Sequence, residues 1–222
     1  MQTFLALQYS HAEELPPGHD EVRTPDALVE EFLQRYSNPD DSVFDPFAGY
    51  GTTFTVAERL DRVPHGVEYE PERVEHIRKR IAHPEHVQQG DARELDPAQF
   101  PACDLCFTSP PFMEQTDERN PFENYAGKSS YDRYLDDLET VFAGVDALLA
   151  PEGHVVVDVS NMKYQGRVTT LAWDIADRLS HVFQFKGEVA VGWENPEADD
   201  GDDQFGYGYD HSYALVFSKA EN

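Results

Sequence analysis

The chain has 222 residues and carries 17 basic against 43 acidic side chains, so its formal net charge is −26. A hydrophobic fraction of 40%, with 14 Phe and 11 Tyr, is enough for a packed core and excludes a wholly disordered chain. Two cysteines cannot form a disulfide scaffold, and the absence of any run of 18 apolar residues excludes a transmembrane helix.

Helix-like and strand-like segments alternate along the chain. In the first helix Thr24 is predicted as the N-cap and Pro25 as a first-turn residue. Further helices are predicted at 52–60, 71–82, 131–149 (stopped by Pro151–Gly153) and 168–179. Strands are predicted at 42–47, 65–69, 86–90, 103–108 and 154–160, with a closing antiparallel pair at 182–193 and 212–218. This alternation predicts a mainly parallel sheet covered on both faces, which binds ligands at the carboxyl ends of its strands.

A glycine loop, DPFAGYGTT (residues 45–53), joins the first predicted strand to the next helix. Its two glycines let the backbone turn sharply and approach a ligand closely. A dinucleotide fingerprint needs a third glycine where Phe54 stands, so nicotinamide or flavin binding is disfavoured. The Gly-Lys-Ser/Thr of a phosphate loop is absent as well. A plain tight turn is the structural alternative to a binding loop.

Acidic residues follow the next two strands. Glu68 ends the second strand about 20 residues past the glycine loop, where a carboxylate can accept both hydroxyls of a ribose. Asp91, within Gly90-Asp91-Ala92 after the third strand, could accept a hydrogen bond from an adenine amine. Either residue alone would be an ordinary surface carboxylate in so acidic a chain. Their position after this loop favours a binding role.

Two consecutive prolines mark the end of the fourth strand, in the sequence Thr108-Ser109-Pro110-Pro111-Phe112. The prolines hold the backbone extended and remove two donors. The Ser109 hydroxyl and the Pro110 carbonyl can therefore accept hydrogen bonds from one amine. The Phe112 ring beside them can stack on a planar base. A proline-rich turn is the structural alternative.

Together the glycine loop and this tetrapeptide resemble the S-adenosylmethionine-dependent amino-methyltransferases, which methylate exocyclic amines of cytosine or adenine in DNA. The resemblance covers roughly residues 23–218. It implies a Rossmann-like α/β class I methyltransferase sheet of seven strands, mainly parallel with an antiparallel C-terminal strand, and helices on both faces.

The resemblance also implies the site residues and S-adenosylmethionine as the cofactor. Thr24 and Pro25 would close over the methionine carboxylate, Glu68 would hold the ribose and Asp91 the adenine. The complete cofactor-binding set is Thr24, Pro25, Asp45, Phe47, Ala48, Gly49, Gly51, Thr52, Thr53, Glu68, Asp91 and Ala92. The catalytic set is Ser109, Pro110, Pro111 and Phe112, and no metal is expected.

Ser at the first tetrapeptide position is commoner among the family's cytosine N4 enzymes, so DNA cytosine N4 methylation is expected before adenine N6. The chain departs from many Ser-Pro-Pro enzymes in its motif order and in having Phe112 instead of Tyr. The order also resembles tRNA guanine N2-methyltransferases, which makes an RNA substrate the alternative. A non-catalytic cofactor-binding scaffold is the alternative of a different class.

We expect one methyltransferase domain over residues 1–222, with a substrate-side loop at 113–134 and an acidic surface loop at 195–210. The expected partner is nucleic acid, DNA before RNA, with no membrane. No separate target-recognition domain is visible, from which we expect a homodimer or a recognition partner. Residues 1–11 lack the features of a signal peptide, so a cytoplasmic location is expected.

Acidic residues spread along the whole chain are typical of a protein from a high-salt cytoplasm. At roughly 1 M salt the Debye length is about 3 Å, so self-repulsion is largely screened. The same salt removes most of the electrostatic attraction to phosphates, and recognition then depends on stacking and hydrogen bonding. The charge of −26 therefore does not exclude a nucleic-acid partner.

Cysteine and histidine chemistry is not expected. Cys103 and Cys106 lie within one predicted strand without a second pair, which argues against zinc. A Pro-Cys dipeptide is absent, so the thiol chemistry of cytosine C5 methylation is excluded. The nine histidines show no ligand cluster in the sequence.

Overall fold

The computed structural model describes residues 2–12, 15, 23–164, 166–194 and 211–220. The strands in this part of the chain are β1 (Phe4–Gln8), β2 (Ser42–Asp45), β3 (Val63–Glu68), β4 (Val87–Gln89), β5 (Cys103–Thr108), β6 (Leu149–Val159), β7 (Met162–Tyr164), β8 (Arg167–Thr169), β9 (Phe183–Glu194) and β10 (His211–Lys219). The α-helices are α1 (Asp26–Tyr36), α2 (Thr52–Arg59), α3 (Pro71–Arg78), α4 (Tyr131–Leu148) and α5 (Leu171–Leu179).

One sheet contains eight of these strands, in the order β1-β9-β10-β6-β5-β2-β3-β4, and β7 and β8 form a separate hairpin. β10 is antiparallel to both of its neighbours, whereas the other pairs are parallel. From the adjacent strands β2 and β5 the chain order runs outward in opposite directions. The carboxyl ends of β2 and β5 therefore flank the crevice in which open α/β sheets bind ligands.

Helices cover both faces of the sheet. Phe32 of α1 and Val56 of α2 pack on one face, whereas Phe142 of α4 and Ile175 of α5 pack on the other. Leu105, Cys106 and Phe107 of β5 alternate between the two sides, as strand geometry requires. Each fully buried Phe contributes roughly 1.5–3 kcal/mol through burial, so both layers hold the sheet in place.

This arrangement confirms the predicted fold class, including the antiparallel C-terminal strand, but the sheet has eight strands where seven were expected. The additional strand is β1, which pairs parallel with β9 and sets Phe4 opposite Ala190. The sequence of β1, FLALQ, is mostly apolar, although in the fold Leu5 is buried and Phe4 is 60% exposed. Its partner lies at the other end of the chain, and no local pattern could reveal the pairing.

Several predicted boundaries are wrong, and three of the errors concern a residue or motif that was given a role in ending or starting an element. The N-cap of α1 is the extended Pro25, without a side-chain cap, so Thr24 precedes the helix. α4 ends at Leu148 because Leu149 is already extended, and Pro151–Gly153 lies inside β6 instead of stopping the helix. Residues 167–169 belong to β8, and α5 begins only at Leu171.

The acidic loop predicted at 195–210 lies outside the described residues. Among the helices that the structure describes, none has the length and hydropathy that crossing a bilayer requires.

Gly66 allows β3 to lie directly against β2. A Cβ atom at this position would lie 2.2 Å from the Asp45 carbonyl oxygen and 3.2 Å from the Phe54 ring. The obstructing atom belongs to the backbone of a paired strand, which cannot rotate away. Gly66→Ala should therefore lower the free energy of unfolding by about 3 kcal/mol, measured by denaturant titration in high salt.

The matched control is Gly90→Ala, whose Cβ would meet Val67 Cγ1 at an ordinary 3.7 Å. We expect this variant to stay within about 0.5 kcal/mol of the parent chain. Equal losses in the two variants would contradict the backbone-contact explanation.

Candidate functional site

The carboxylate of Asp45 is buried at the end of β2, underneath the glycine loop. Its Oδ1 accepts hydrogen bonds from Thr108 Oγ1 at 2.6 Å and from the Phe47 amide at 3.0 Å, and the Thr53 hydroxyl lies on the same carboxylate. Burial raises the pKa of Asp45, whereas these hydrogen bonds oppose the rise. The Asp45 side chain thus joins the ends of β2 and β5 to the glycine loop that follows β2.

Both glycines of the loop adopt left-handed backbone conformations, with φ of 55° at Gly49 and 83° at Gly51. A Cβ at Gly51 would also lie 2.8 Å from Ile77 Cγ1 of α3, so Gly51 is required for packing. Around Gly49 the nearest atom to an added Cβ would be 3.9 Å away. The loop therefore leaves open space at Gly49, where a ligand can approach the backbone.

Glu68 ends β3 and holds the loop from the other side. Its Oε2 accepts the Gly49 amide at 2.7 Å, and its Oε1 accepts the Glu70 amide at 2.8 Å. Burial raises the pKa of Glu68, an effect opposed by these amides and by Arg73. Each carboxylate oxygen has a second lone pair, so the oriented carboxylate can still accept the two hydroxyls of a ribose.

Asp91 differs from Glu68 because its carboxylate is already paired with an arginine. Arg93 Nε lies 3.0 Å from Oδ1 and Arg93 Nη2 lies 2.6 Å from Oδ2. Partial burial raises the pKa of Asp91, but the Arg93 bonds outweigh it and lower the pKa overall. Neighbouring Ala92 is buried in the core. An adenine contact at Asp91 stays a prediction and would use the remaining lone pairs.

The tetrapeptide Ser109–Phe112 follows β5, next to the glycine loop. Its backbone is held by two tyrosines, since Tyr134 Oη donates to the Pro111 carbonyl at 2.9 Å and Tyr125 Oη donates to the Phe112 carbonyl at 2.7 Å. Within the described part of the chain, neither the Ser109 hydroxyl nor the Pro110 carbonyl has a hydrogen-bond partner. These two acceptors are available to an amine.

The substrate-side loop predicted at 113–134 contains both buried core residues and exposed residues. Phe122, Tyr131 and Tyr134 are buried, and Phe122 packs against Phe47 with ring centroids 5.8 Å apart. Tyr125 remains 39% exposed. The helical spacing of Tyr131 and Tyr134 could have shown that they are buried. Nothing in the sequence indicates that two tyrosine hydroxyls reach the tetrapeptide backbone.

The start of α1 lies close to the end of the glycine loop. A cavity of about 140 Å³ separates the two, and the residues lining it are Ala12, Arg23, Asp26, Thr52, Thr55, Arg59 and Arg80. Thr24 and Pro25 lie between two of these residues in the chain. Their expected position beside the loop is thus consistent with the structure, and their contact with a cofactor stays a prediction.

At the end of β6, beside the carboxyl end of β5, lies another buried carboxylate, Asp158. Its Oδ1 has no hydrogen-bond partner among the described residues. Burial raises the pKa of Asp158 to about 6. A charged Asp158 carboxylate therefore destabilises the folded chain at neutral pH.

Asp158→Asn should become more stable relative to the parent chain as the pH rises. A carboxyl with a raised folded-state pKa stabilises the protein below its unfolded value of about 4, and loses that contribution as the pH passes its folded value. Raising the pKa from about 4 in the unfolded chain to about 6 in the folded chain corresponds to a stability change of about 3 kcal/mol between pH 4 and pH 7. Denaturant titrations at both pH values measure it.

The exposed Asp177 of α5 offers the control, because Asp177→Asn removes the same formal charge from the surface. A stability difference between Asp158→Asn and Asp177→Asn that does not change with pH would contradict the burial argument.

Both cysteines are buried inside β5 and are not disulfide-bonded. Burial is the main cause that raises the pKa of Cys103 to about 12 and the pKa of Cys106 well above its ordinary value. A thiolate nucleophile is thus unavailable at neutral pH, in agreement with the exclusion of thiol chemistry.

Sequence comparison decides the family. The profile of the DNA methylase family of N6 and N4 methyltransferases matches residues 5–79 and 103–222. The chain belongs to this family. Over 51 residues it is also 41% identical to the type II methyltransferase M.BglII of Bacillus subtilis, a stretch that covers 23% of this chain and 14% of that protein. The family implies S-adenosylmethionine as the methyl donor.

Solved structures support the fold of this DNA methylase family member. TrmN from Thermus thermophilus superposes with a TM-score of 0.59 at 19% identity, over 88% of this chain and 49% of that one. A TehB-like S-adenosylmethionine-dependent methyltransferase from Corynebacterium glutamicum superposes with a TM-score of 0.54 at 12% identity, over 86% and 87%. At such identities the likeness concerns the fold alone, and TrmN adds no argument for an RNA substrate.

Proposed function

We propose that this chain transfers the methyl group of S-adenosylmethionine to an exocyclic amine of a base in DNA, cytosine N4 before adenine N6. The observation that carries the proposal is the 2.6 Å hydrogen bond between Thr108 and Asp45. It joins the end of the tetrapeptide strand to the glycine loop, so an amine at Ser109 and a ligand at Gly49 would share one crevice.

Several features of the site fit the cofactor. Gly49 leaves room beside the loop, Glu68 presents an oriented carboxylate for the ribose, and Thr52 borders the cavity near Thr24 and Pro25. Asp45 and Thr53 hold the loop from within. When bound, S-adenosylmethionine would supply an electrophilic methyl group on its sulfonium.

The chain's own part in the reaction is to position the amine. The Ser109 hydroxyl and the Pro110 carbonyl accept its two hydrogens, which directs the nitrogen lone pair toward the methyl donor. Pro111 keeps the backbone extended, and Phe112 stacks on the base. Positioning of this kind can supply several kcal/mol, with about 7–11 kcal/mol as an upper range. The base must be flipped out or single-stranded, which costs a few kcal/mol.

A methyl-transfer assay on the full chain tests the proposal. The assay uses labelled S-adenosylmethionine in high salt, with unmodified DNA, tRNA and protein as parallel substrates. Label in DNA supports the proposal, and digestion to nucleosides distinguishes N4-methylcytosine from N6-methyladenine. Label in tRNA alone would support the alternative of RNA guanine N2 methylation, and no transfer to any nucleic acid would support the non-catalytic scaffold.

Ser109→Ala should reduce the rate of methyl transfer by about 10²-fold, because it removes one preorganised hydrogen-bond partner of the reacting amine. Binding of S-adenosylhomocysteine, measured by calorimetry, should stay unchanged. Ser180→Ala is the matched control, since Ser180 is an exposed residue that caps the C-terminal end of α5 and belongs to neither predicted site set. An unchanged rate in Ser109→Ala would exclude Ser109 from catalysis.

Glu68→Gln should weaken S-adenosylhomocysteine binding about tenfold, because a neutral amide accepts the ribose hydroxyls and the Gly49 amide less strongly. Glu75→Gln, on the exposed face of α3, removes the same charge and serves as the control. If both variants bind like the parent chain, Glu68 does not hold the ribose.

Three further expectations stay predictions: a homodimer or recognition partner, a cytoplasmic location and a high-salt habitat. Gel filtration in high salt tests the first of them, and a stability that falls on dilution of the salt would support the third.

A further inference from the structure

A group of histidines lies at the opposite edge of the sheet from β1, away from the crevice. His83, Glu85 and His86 lie in the crossover between α3 and the edge strand β4. One potential ligand atom from each residue lies within 4.8 Å of the others. Residues 80–102 fall between the two segments that match the family profile, so the family match assigns this cluster no role.

The local fold explains why the two histidines meet. Pro84–His86 forms a single 3-10 turn that His83 caps, and the His86 amide donates to the His83 carbonyl at 3.0 Å. Side chains three residues apart eclipse each other on a 3-10 turn. The imidazoles of His83 and His86 are accordingly stacked, with centroids 4.8 Å apart.

Three details indicate a site rather than a random surface pair. The Nδ1 atom of His86 is buried and has no hydrogen-bond partner among the described residues. On its other side His65 of β3 packs against the His86 ring, with centroids 4.1 Å apart, and so fixes its position. Glu85 lies 3.3 Å from His83 Nδ1, which brings a carboxylate to the same point.

We propose that His83, Glu85 and His86 bind a divalent transition-metal ion of the zinc type. Two imidazoles and one carboxylate are ligands that zinc accepts, and three protein ligands leave a position for water. Imidazole disfavours Mg²⁺ and Ca²⁺, which prefer oxygen ligands. The ion would also satisfy the buried nitrogen of His86.

An ion at this place would stabilise a weak edge of the sheet. β4 has three residues and, among the strands that the structure describes, pairs with β3 alone. The three ligands belong to the segment that leads directly into β4, and His65 connects them to β3. Because the unfolded chain lacks the site, binding should favour the folded state. The role we infer is structural and is independent of methyl transfer.

The test uses the full chain, stripped with a chelator and kept in high salt. Calorimetric titration with Zn²⁺ should show one site per chain, and saturating Zn²⁺ should raise Tm by about 5 °C. Mg²⁺ at the same concentration should do neither. The Mg²⁺ control is essential because a chain with a net charge of −26 attracts any divalent cation. The visible spectrum of bound Co²⁺ reports the coordination number.

His83→Ala and Glu85→Gln remove one ligand each from exposed positions, so the fold should survive both changes. Losing an outer-shell partner already weakens metal sites about 10–100-fold, so the loss of a ligand should weaken Zn²⁺ binding by at least about 100-fold. His181→Ala is the control, because His181 is equally exposed and lies 3.8 Å from one carboxylate, Glu139. Equal Zn²⁺ affinity in His83→Ala and His181→Ala, or equal responses to Zn²⁺ and Mg²⁺, would overturn the proposal.

Discussion

The hydrogen bond between Thr108 and Asp45 is the interaction on which the site depends. It spans the boundary between the two halves of the sheet, where the strand order reverses. The two strands that meet there, β2 and β5, are not consecutive in the chain, so no single loop connects their ends. A carboxylate buried at this boundary is costly unless it is fully hydrogen-bonded, so the surrounding hydroxyls and amides must stay in place. Because of this cost, the geometry of the glycine loop and that of the tetrapeptide strand are coupled.

The same principle recurs around the crevice. Glu68 holds the glycine loop through two backbone amides, and Tyr134 and Tyr125 hold the tetrapeptide through two carbonyls. The groups that would contact cofactor and substrate are thus held by neighbouring side chains, of which Glu68 would also hold the ribose. Such support keeps reacting groups in position before a ligand arrives, which is the condition for catalysis by positioning.

The sequence predicts the sheet, the helices and the crevice, because these follow from hydrophobic periodicity and from two local motifs. β5 is predicted to the residue, since five apolar or small residues precede an unmistakable Pro-Pro boundary. β1 is missed because its partner is remote, and the end of α4 is misplaced because Pro151 is tolerated within β6. Contacts between residues distant in the sequence, such as Tyr134 on the Pro111 carbonyl or His65 on His86, depend on the assembled fold and leave no periodic signal.

Because Cys103 and Cys106 are buried, the reaction of their thiols with a reagent reports unfolding of the chain. Both thiols lie in β5, at the centre of the sheet, and are protonated at neutral pH. An alkylating reagent can reach them only after the helices covering β5 or the central strands themselves move apart. The rate of thiol labelling therefore measures opening of the centre of the sheet, without any engineered probe.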